Sequence, residues 1–432
     1  MRHAVRRDFR LLWFGETVSK LGTSVTTVAL PLVAVLTLHA NTFIVAALTA
    51  AEWIPWLLIG LPAGAWVDRM ARRPVMLACD IASAALFVSV PIAAWLGVLT
   101  IGQLMAVALL TGVASAFFTI AYQAYLPALV PADDLAEGNA KLIGADSAAQ
   151  LGGRGFGGLF AQWFGAVLGL FADAVSFLVS MVCLLAIRAR EPAGVVDSAA
   201  VDSAGAAARP GLRREIAAGL RLVSRDPYLR AVTADAAVGN LALMGYQSIQ
   251  VVFLVRVLDV PTSLVGWIVA GSSVGGIAGA MLARRVTRRF GSARGLLLCL
   301  IGTSPVVLLV PLAGRGFGVL LVVFASLVSG AGVVAGNVII AGFRQSYCPP
   351  AMLGRVVATG RMASYGAIPL GAVLAGGLGA LVGVRPTVWI MLGIYLAGGL
   401  ILWFSPIRGR RDLPTLAVMS AGAWERGVGE RP

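Results

Sequence analysis

Residues 64–74 read GAWVDRMARRP, one acid and three arginines set between two long apolar runs. Before them stands TFIVAALTAAEWIPWLLIGLPA (42–63), and after them VMLACDIASAALFVSVPIAAWLG (75–97). At about 1.5 Å per residue each run is long enough to cross the ~30 Å hydrocarbon core of a bilayer. The basic hinge between them therefore turns one membrane span into the next.

Outward from this hinge the same unit recurs. Apolar runs lie at 10–38, 43–67, 74–97, 101–126, 139–164, 167–187, 229–257, 263–283, 294–313, 316–343, 356–382 and 386–405. Their connectors alternate in charge. Arg2, Arg6 and Arg7 precede the first run, and Arg69, Arg72 and Arg73 follow the second; 188–230 holds Arg188, Arg190, Arg209, Arg213, Arg214, Arg221, Arg225 and Arg230. Arg284, Arg285, Arg288, Arg289 and Arg294, then Arg344 and Arg355, continue the series, whereas the alternate connectors hold only Arg256, Arg315 and Arg385. Arginine and lysine mark cytoplasmic loops, so both termini are expected in the cytoplasm, which requires an even number of spans in the cell (inner) membrane.

Composition agrees. Of 432 residues, 59% are hydrophobic and 12% charged, with a mean hydropathy of +0.88. The net charge of +14 is spread between apolar runs, which argues against nucleic-acid binding and for a lipid bilayer as the partner surface. The four cysteines and two histidines show no metal-ligand spacing, so no metal or cofactor is expected. The only lysines, Lys20 and Lys141, are each followed by leucine, which excludes a phosphate-cradling loop and hence ATP as the driving force. No nucleophile–base pairing points to an enzyme.

The expected fold is an all-α integral membrane protein of twelve transmembrane helices in two six-helix pseudo-repeats. Residues 1–190 form the N-terminal bundle, 191–228 a cytoplasmic linker with an amphipathic helix, 229–406 the C-terminal bundle, and 407–432 a cytoplasmic tail without fixed structure. The helix in the linker rests on Leu212, Ile216, Leu220 and Val223 at helical spacing. Duplication is supported by a shift of 218 that aligns Pro131 with Pro349 and Gly165 with Gly383, and a shift of 215 that aligns Arg69 and Arg73 with Arg284 and Arg288.

Charged groups inside a span are costly and are functional candidates by default. Glu16 and Lys20 stand one turn apart in the first span. Asp146, Gln150 and Arg154 share one face of the fifth. Glu52 lies in the second, Asp173 in the sixth, and Asp80 and Asp235 nearer basic ends, where hydration is expected. Stripes of small residues permit close helix approach: Gly60 and Gly64; Ala145, Ala149, Gly153 and Gly157; Gly271, Gly275 and Gly279; Ala367, Gly371, Ala375, Gly379 and Gly383.

The hinge GAWVDRMARRP resembles the G-x-x-x-D-R-x-x-R-R signature of the major facilitator superfamily, in the place where that family carries it. The echo GAMLARRVTRRFG (279–291) keeps the glycine and arginines but has Ala283 at the acidic position. FRLLWFGETVSKLGTSVTTVALPL, AYQAYLPALVP, LAEGNAKL and DAVSFLVS are similar to the branch that includes enterobactin exporters and actinobacterial drug-efflux proteins. The resemblance implies a secondary active transporter that exports a small amphiphilic molecule, a drug, antibiotic or related metabolite, by proton antiport with alternating access, acting as a monomer. Siderophore export is the alternative; a lipid flippase or transporter-like receptor is a third reading.

The resemblance also implies roles. Gly64, Asp68, Arg69, Arg72 and Arg73 would form a conformational latch, Asp68 meeting the positive end of the eleventh span. Spans two, five, eight and eleven would form the seam between halves, where the small stripes would slide. Asp146, Glu52 or Glu16 would take up the coupling proton, with Lys20 and Arg154 as charge partners. Spans one, four, seven and ten would line the cavity, offering Tyr122, Gln123, Asn240, Tyr246, Gln247 and Asn337 to substrate. Where antiporters of the superfamily carry G-P-x-x-G-G, this chain reads GRGFGG (153–158), with Arg154 in place of proline.

Overall fold

The computed structural model describes residues 2–67, 70–129, 135–187 and 220–415. Among these, every regular element is helical. The first half comprises α1 (Arg2–Leu32), α2 (Thr42–Val67), α3 (Arg72–Trp95), α4 (Ile101–Leu129), α5 (Leu135–Phe164) and α6 (Ala166–Ala186). The second comprises α7 (Pro227–Val252), α8 (Thr262–Phe290), the mixed segment α9 (Ser292–Leu312), α10 (Val319–Tyr347), α11 (Pro350–Leu381) and α12 (Val384–Trp403). Eleven of these segments are long and apolar enough to cross a membrane. The exception is α5, which has the length but carries Asp146, Gln150, Arg154 and a run of glycines. It is packed between α1 and α8, which keeps that polar face inside the bundle.

The backbone repeats more faithfully than the side chains. α1 and α7 each widen into a π-helical turn, Val33–Thr37 and Phe253–Val257. Leu38 N–H then donates to the Val33 carbonyl at 3.2 Å and Ala40 N–H to Ala34 at 2.8 Å; Leu258 to Phe253 (3.1 Å) and Val260 to Leu254 (3.0 Å) repeat the pattern. Each unit ends on a left-handed residue, His39 (φ 47°) and Asp259 (φ 56°), from residue types that tolerate that region. Gly165 (φ 85°) and Gly383 (φ 90°) precede α6 and α12 at matching places, where a β-carbon would be strained.

The two ends of the molecule differ. One end, called basic here, holds the amino terminus and the arginine-rich connectors; the other is the far end. At the far end the apolar cores are shared. Val28, Leu32, Ala46 and Ala161 pack with Tyr246, Phe253, Leu254 and Val388, and Val252 packs among Val25, Val33, Leu48 and Leu104. Arg256 also crosses there, donating from Nη2 to the Ala40 carbonyl at 2.7 Å. At the basic end each half keeps its own core: Leu12, Val75, Tyr125 and Ile187 in one, Leu229, Leu296, Tyr347 and Leu402 in the other. Among the described residues, the apolar cores of the halves are thus shared at the far end and separate at the basic end.

One region departs from expectation. Tail residues up to 415 are docked. Asp412 Oδ1 accepts from Ser292 N–H at 2.8 Å, the Arg411 carbonyl from Ala293 N–H at 3.1 Å, and Leu413 N–H donates to Ser292 Oγ at 2.8 Å. Ile407 and Leu413 are buried against the second half, so this strap closes the turn between α8 and α9. The remainder of the tail, 416–432, lies outside the described residues. So do 188–219, and with them Leu212 and Ile216 of the expected amphipathic helix. Of that stripe, Val223 is buried in the basic-end core and Leu220 is exposed.

Candidate functional site: a cleft between the halves

Two seams join the halves. On the α5–α8 seam a β-carbon at Gly158 would lie 2.6 Å from the Gly266 nitrogen, and one at Gly155 would lie 2.9 Å from the Trp267 ring. Arg154 donates from Nη1 to Ser273 Oγ across the seam at 3.4 Å. On the α2–α11 seam Thr42 packs on Gly379, Phe43 and Ala46 on Gly376, and Leu57 on Gly366. Nearer the basic end, a β-carbon at Gly60 or Gly144 would meet nothing within 4 Å among the described residues.

The small-residue stripes do not all lie on these seams. Gly153 and Gly157 face Leu21 and Val25 of α1; Gly275 and Gly279 face Leu327 and Ala331 of α10; Gly371 faces Leu241 of α7. They serve packing within each half, and the glycines between the halves are Gly155, Gly158, Gly266, Gly366, Gly376 and Gly379. Close approach needs small residues against any neighbour, so their period alone does not tell which helix they meet.

A series of polar groups runs along α1, α4 and α5 of the first half. Glu16 pairs with Lys20 at 3.6 Å. Asp146 Oδ2 accepts from Gln150 Nε2 at 2.8 Å and is within electrostatic reach of Glu16 and Arg154. Half-buried Tyr122 is within electrostatic reach of both carboxylates. Arg154, within electrostatic reach of Asp146, reaches Ser273 of the opposite half, a residue that sequence reasoning did not single out. Glu52, on α2, has neither hydrogen bond nor ion pair among the described residues.

Other expected residues are more dispersed. Asn240 and Gln247 are half-buried on α7, whereas Tyr246 is 5% exposed in the shared far-end core, beside Gln250. Gln123 and Asn337 are exposed. Of the basic hinge, Asp68 and Arg69 lie outside the described residues, Gly64 falls in the last turn of α2, and Arg72 opens α3. Arg73 donates to the Leu184 and Leu185 carbonyls at 3.0 Å each, placing its charge on the negative end of α6. Asp80, expected to be hydrated, is 1% exposed and faces Ser180.

Asp173 is fully buried and accepts from Thr26 Oγ1 at 2.6 Å and Ser176 Oγ at 3.0 Å, tying α1 to α6. Asp173→Ala leaves both hydroxyls without this acceptor, at a cost of about 1–3 kcal/mol. The expected outcome is a lower thermal midpoint in detergent than for Thr26→Val; a wild-type midpoint would show that the contact does not hold the two helices.

Comparison with known proteins places this geometry. The model of the family described as transmembrane secretion effector matches residues 3–421. The multidrug efflux pump Tap of Mycolicibacterium fortuitum is 27% identical over 421 residues, covering 96% of this chain and 99% of that protein. The fold is similar to that of the nucleoside transporter NupG, with a TM-score of 0.73 at 12% identity, covering 92% of this chain and 98% of that one. A bacterial homologue of the iron transporter ferroportin, solved in an inward-facing state, gives 0.73 at 16% identity with coverage of 92% and 98%.

Proposed function

The chain belongs to the transmembrane secretion effector family of the major facilitator superfamily, and from that premise we propose that it exports small amphiphilic molecules, drugs or antibiotics among them, by proton antiport with alternating access. What supports this reading is the asymmetry of the two ends: among the described residues, glycine contacts and a shared apolar core join the halves at the far end, the cores are separate at the basic end, and carboxylates lie on the helices between. The positive-inside rule turns the basic end, and both termini, toward the cytoplasm, so the open cleft loads from inside. Similarity to the Tap efflux pump supports a drug-like substrate.

In this reading Asp146, Glu52 and Glu16 are the coupling candidates, because an ionisable group inside a span is a functional candidate by default. Asp68 would latch the basic end when the far end opens, by meeting the positive amino-terminal end of α11. The test uses inside-out membrane vesicles. Ethidium should accumulate when a proton gradient is imposed, and a protonophore should reduce accumulation to the level of vesicles lacking the protein. Accumulation indifferent to the protonophore would remove proton coupling from the proposal. Failure to move ethidium and other amphiphilic dyes, alongside movement of a siderophore, would remove the drug-like substrate.

A further inference from the structure

The internal repeat breaks at a contact of the basic end. The shift of 218 that aligns Pro131 with Pro349 also aligns Leu126 of α4 with Arg344 of α10, and Leu142 of α5 with Gly360 of α11. In the first half the two leucines are buried in the basic-end core. In the second half the Arg344 guanidinium lies on Gly360, where a β-carbon would be 3.0 Å from Nη2, 3.4 Å from Cζ and 3.5 Å from Nη1. A pair of leucines is replaced by an arginine and the glycine that admits it.

Arg344 stands in the last turn of α10, where a basic residue suits both the helix dipole and a cytoplasmic connector. Neither role requires burial. Arg344 is nevertheless half-buried, its Nε is shut away without a hydrogen-bond partner, and no described carboxylate pairs with it. The group within electrostatic reach is the Cys348 thiol, one turn on. The acids of this end are engaged elsewhere. Asp226 caps the amino terminus of α7 and accepts from Tyr347 Oη at 2.5 Å, and Asp412 is held by Ser292. Arg361, which follows Gly360 and stands where the first half has Ile143, is exposed and adds a second positive charge.

We propose that Arg344, seated on Gly360, binds a carboxylate or other oxyanion carried by the exported amphiphile, a refinement that rests on the export reading above. A guanidinium without a counter-charge among packed helices is costly, and an acidic group on the ligand relieves that cost. The planar fork of an arginine matches an oxyanion through two parallel N–H donors, a fit that a lysine lacks. Contact with the Gly360 backbone holds the fork in one plane, so the donors are set before the ligand arrives. Both helices meet here at the basic end, from which the export reading loads its substrate. The first half, with Leu126 and Leu142 at the matching place, offers no such anchor.

The test is binding to the purified full-length protein by titration calorimetry. The probes are norfloxacin, a flat amphiphile with a carboxylate and an ammonium, and its ethyl ester, which keeps the ammonium and blocks the acid. Norfloxacin should bind about tenfold more tightly than the ester. Arg344→Leu restores the residue of the first half and should make the two bind equally. Arg344→Lys keeps the charge without the fork and should retain a preference of about threefold; it keeps the proposal falsifiable should Arg344→Leu fail to fold. Arg315→Leu, at an exposed arginine of the far end, should leave the preference intact. Equal binding of acid and ester by the wild type, or an undiminished preference in the Arg344 variants, overturns the site. Ethidium has no acidic group, so its proton-driven accumulation in vesicles should be the same in wild type and Arg344→Leu. Accumulation of ethidium alongside equal binding of acid and ester leaves the export reading standing. Conversely, an acid preference that depends on Arg344, without accumulation of ethidium or norfloxacin, overturns export and keeps the site.

Discussion

Gly158→Leu is expected to abolish net transport while leaving the protein inserted and folded. A β-carbon there would sit 2.6 Å from the Gly266 nitrogen and 3.0 Å from the Gly266 Cα and the Ser263 carbonyl. These are backbone atoms, so no rotamer change relieves the clash. Overpacking of this kind costs about 1–3 kcal/mol, and it falls only on the state with the far end closed. A bias of that size corresponds to a population shift of roughly 5- to 150-fold. Cysteines at Thr42 and Gly379, in contact across the other seam, report the shift as a loss of cross-linking. Gly393→Leu is the matched control, since a β-carbon there would meet no other group within 4 Å among the described residues. Normal transport with undiminished cross-linking in Gly158→Leu would mean that the glycine seam is not a gate.

Asp146→Asn is expected to abolish proton-driven accumulation and to preserve exchange of substrate down its own gradient. The amide keeps the size of the carboxylate and an oxygen for Gln150 Nε2, so the local geometry is retained while the titratable group is lost. Removing the charge also unbalances Arg154, which bonds Ser273 of the opposite half. In the proposed mechanism, a change of charge at Asp146 would act on that seam through Arg154, which is within its electrostatic reach. Reconstituted protein separates the two activities: counterflow should persist, and uptake driven by an imposed proton gradient should fall to background. If Asp146→Asn still concentrates substrate with unchanged pH dependence, coupling belongs elsewhere, and Glu52 is the next carboxylate to replace.

The fold was legible because lipid imposes it. Runs of apolar residues with arginines at alternate connectors leave a bundle of spans as the only way to satisfy the backbone. The hinge at 64–74 supplied the family, which the match over residues 3–421 establishes. Contacts were less legible. The glycine stripes were assigned to the seam, yet Gly153 and Gly157 meet α1 while Gly155 and Gly158, one or two residues away on the helix, meet or approach the other half. A helix buried on several sides needs small residues on each of them, so period cannot choose among neighbours. Asp80 illustrates a related limit: nearness to a helix end says nothing of whether α6 covers the side chain, and Ser180 faces it. Ser273 gave no signal at all, because a serine in a span acquires its meaning only from the helix across from it.

The strap at 404–415 bears on the order in which the protein is made. Ser292 receives its cap from Asp412, 120 residues later in the chain. At about 5–20 residues per second of synthesis, the turn between α8 and α9 stands without that cap for roughly ten seconds. All twelve helices have been translated before the second half can acquire its final hydrogen bonds. Completion of that half is therefore an event that follows translation, and a nascent chain released early, just past Trp403, would hold every membrane span yet lack the piece that fastens the α8–α9 corner.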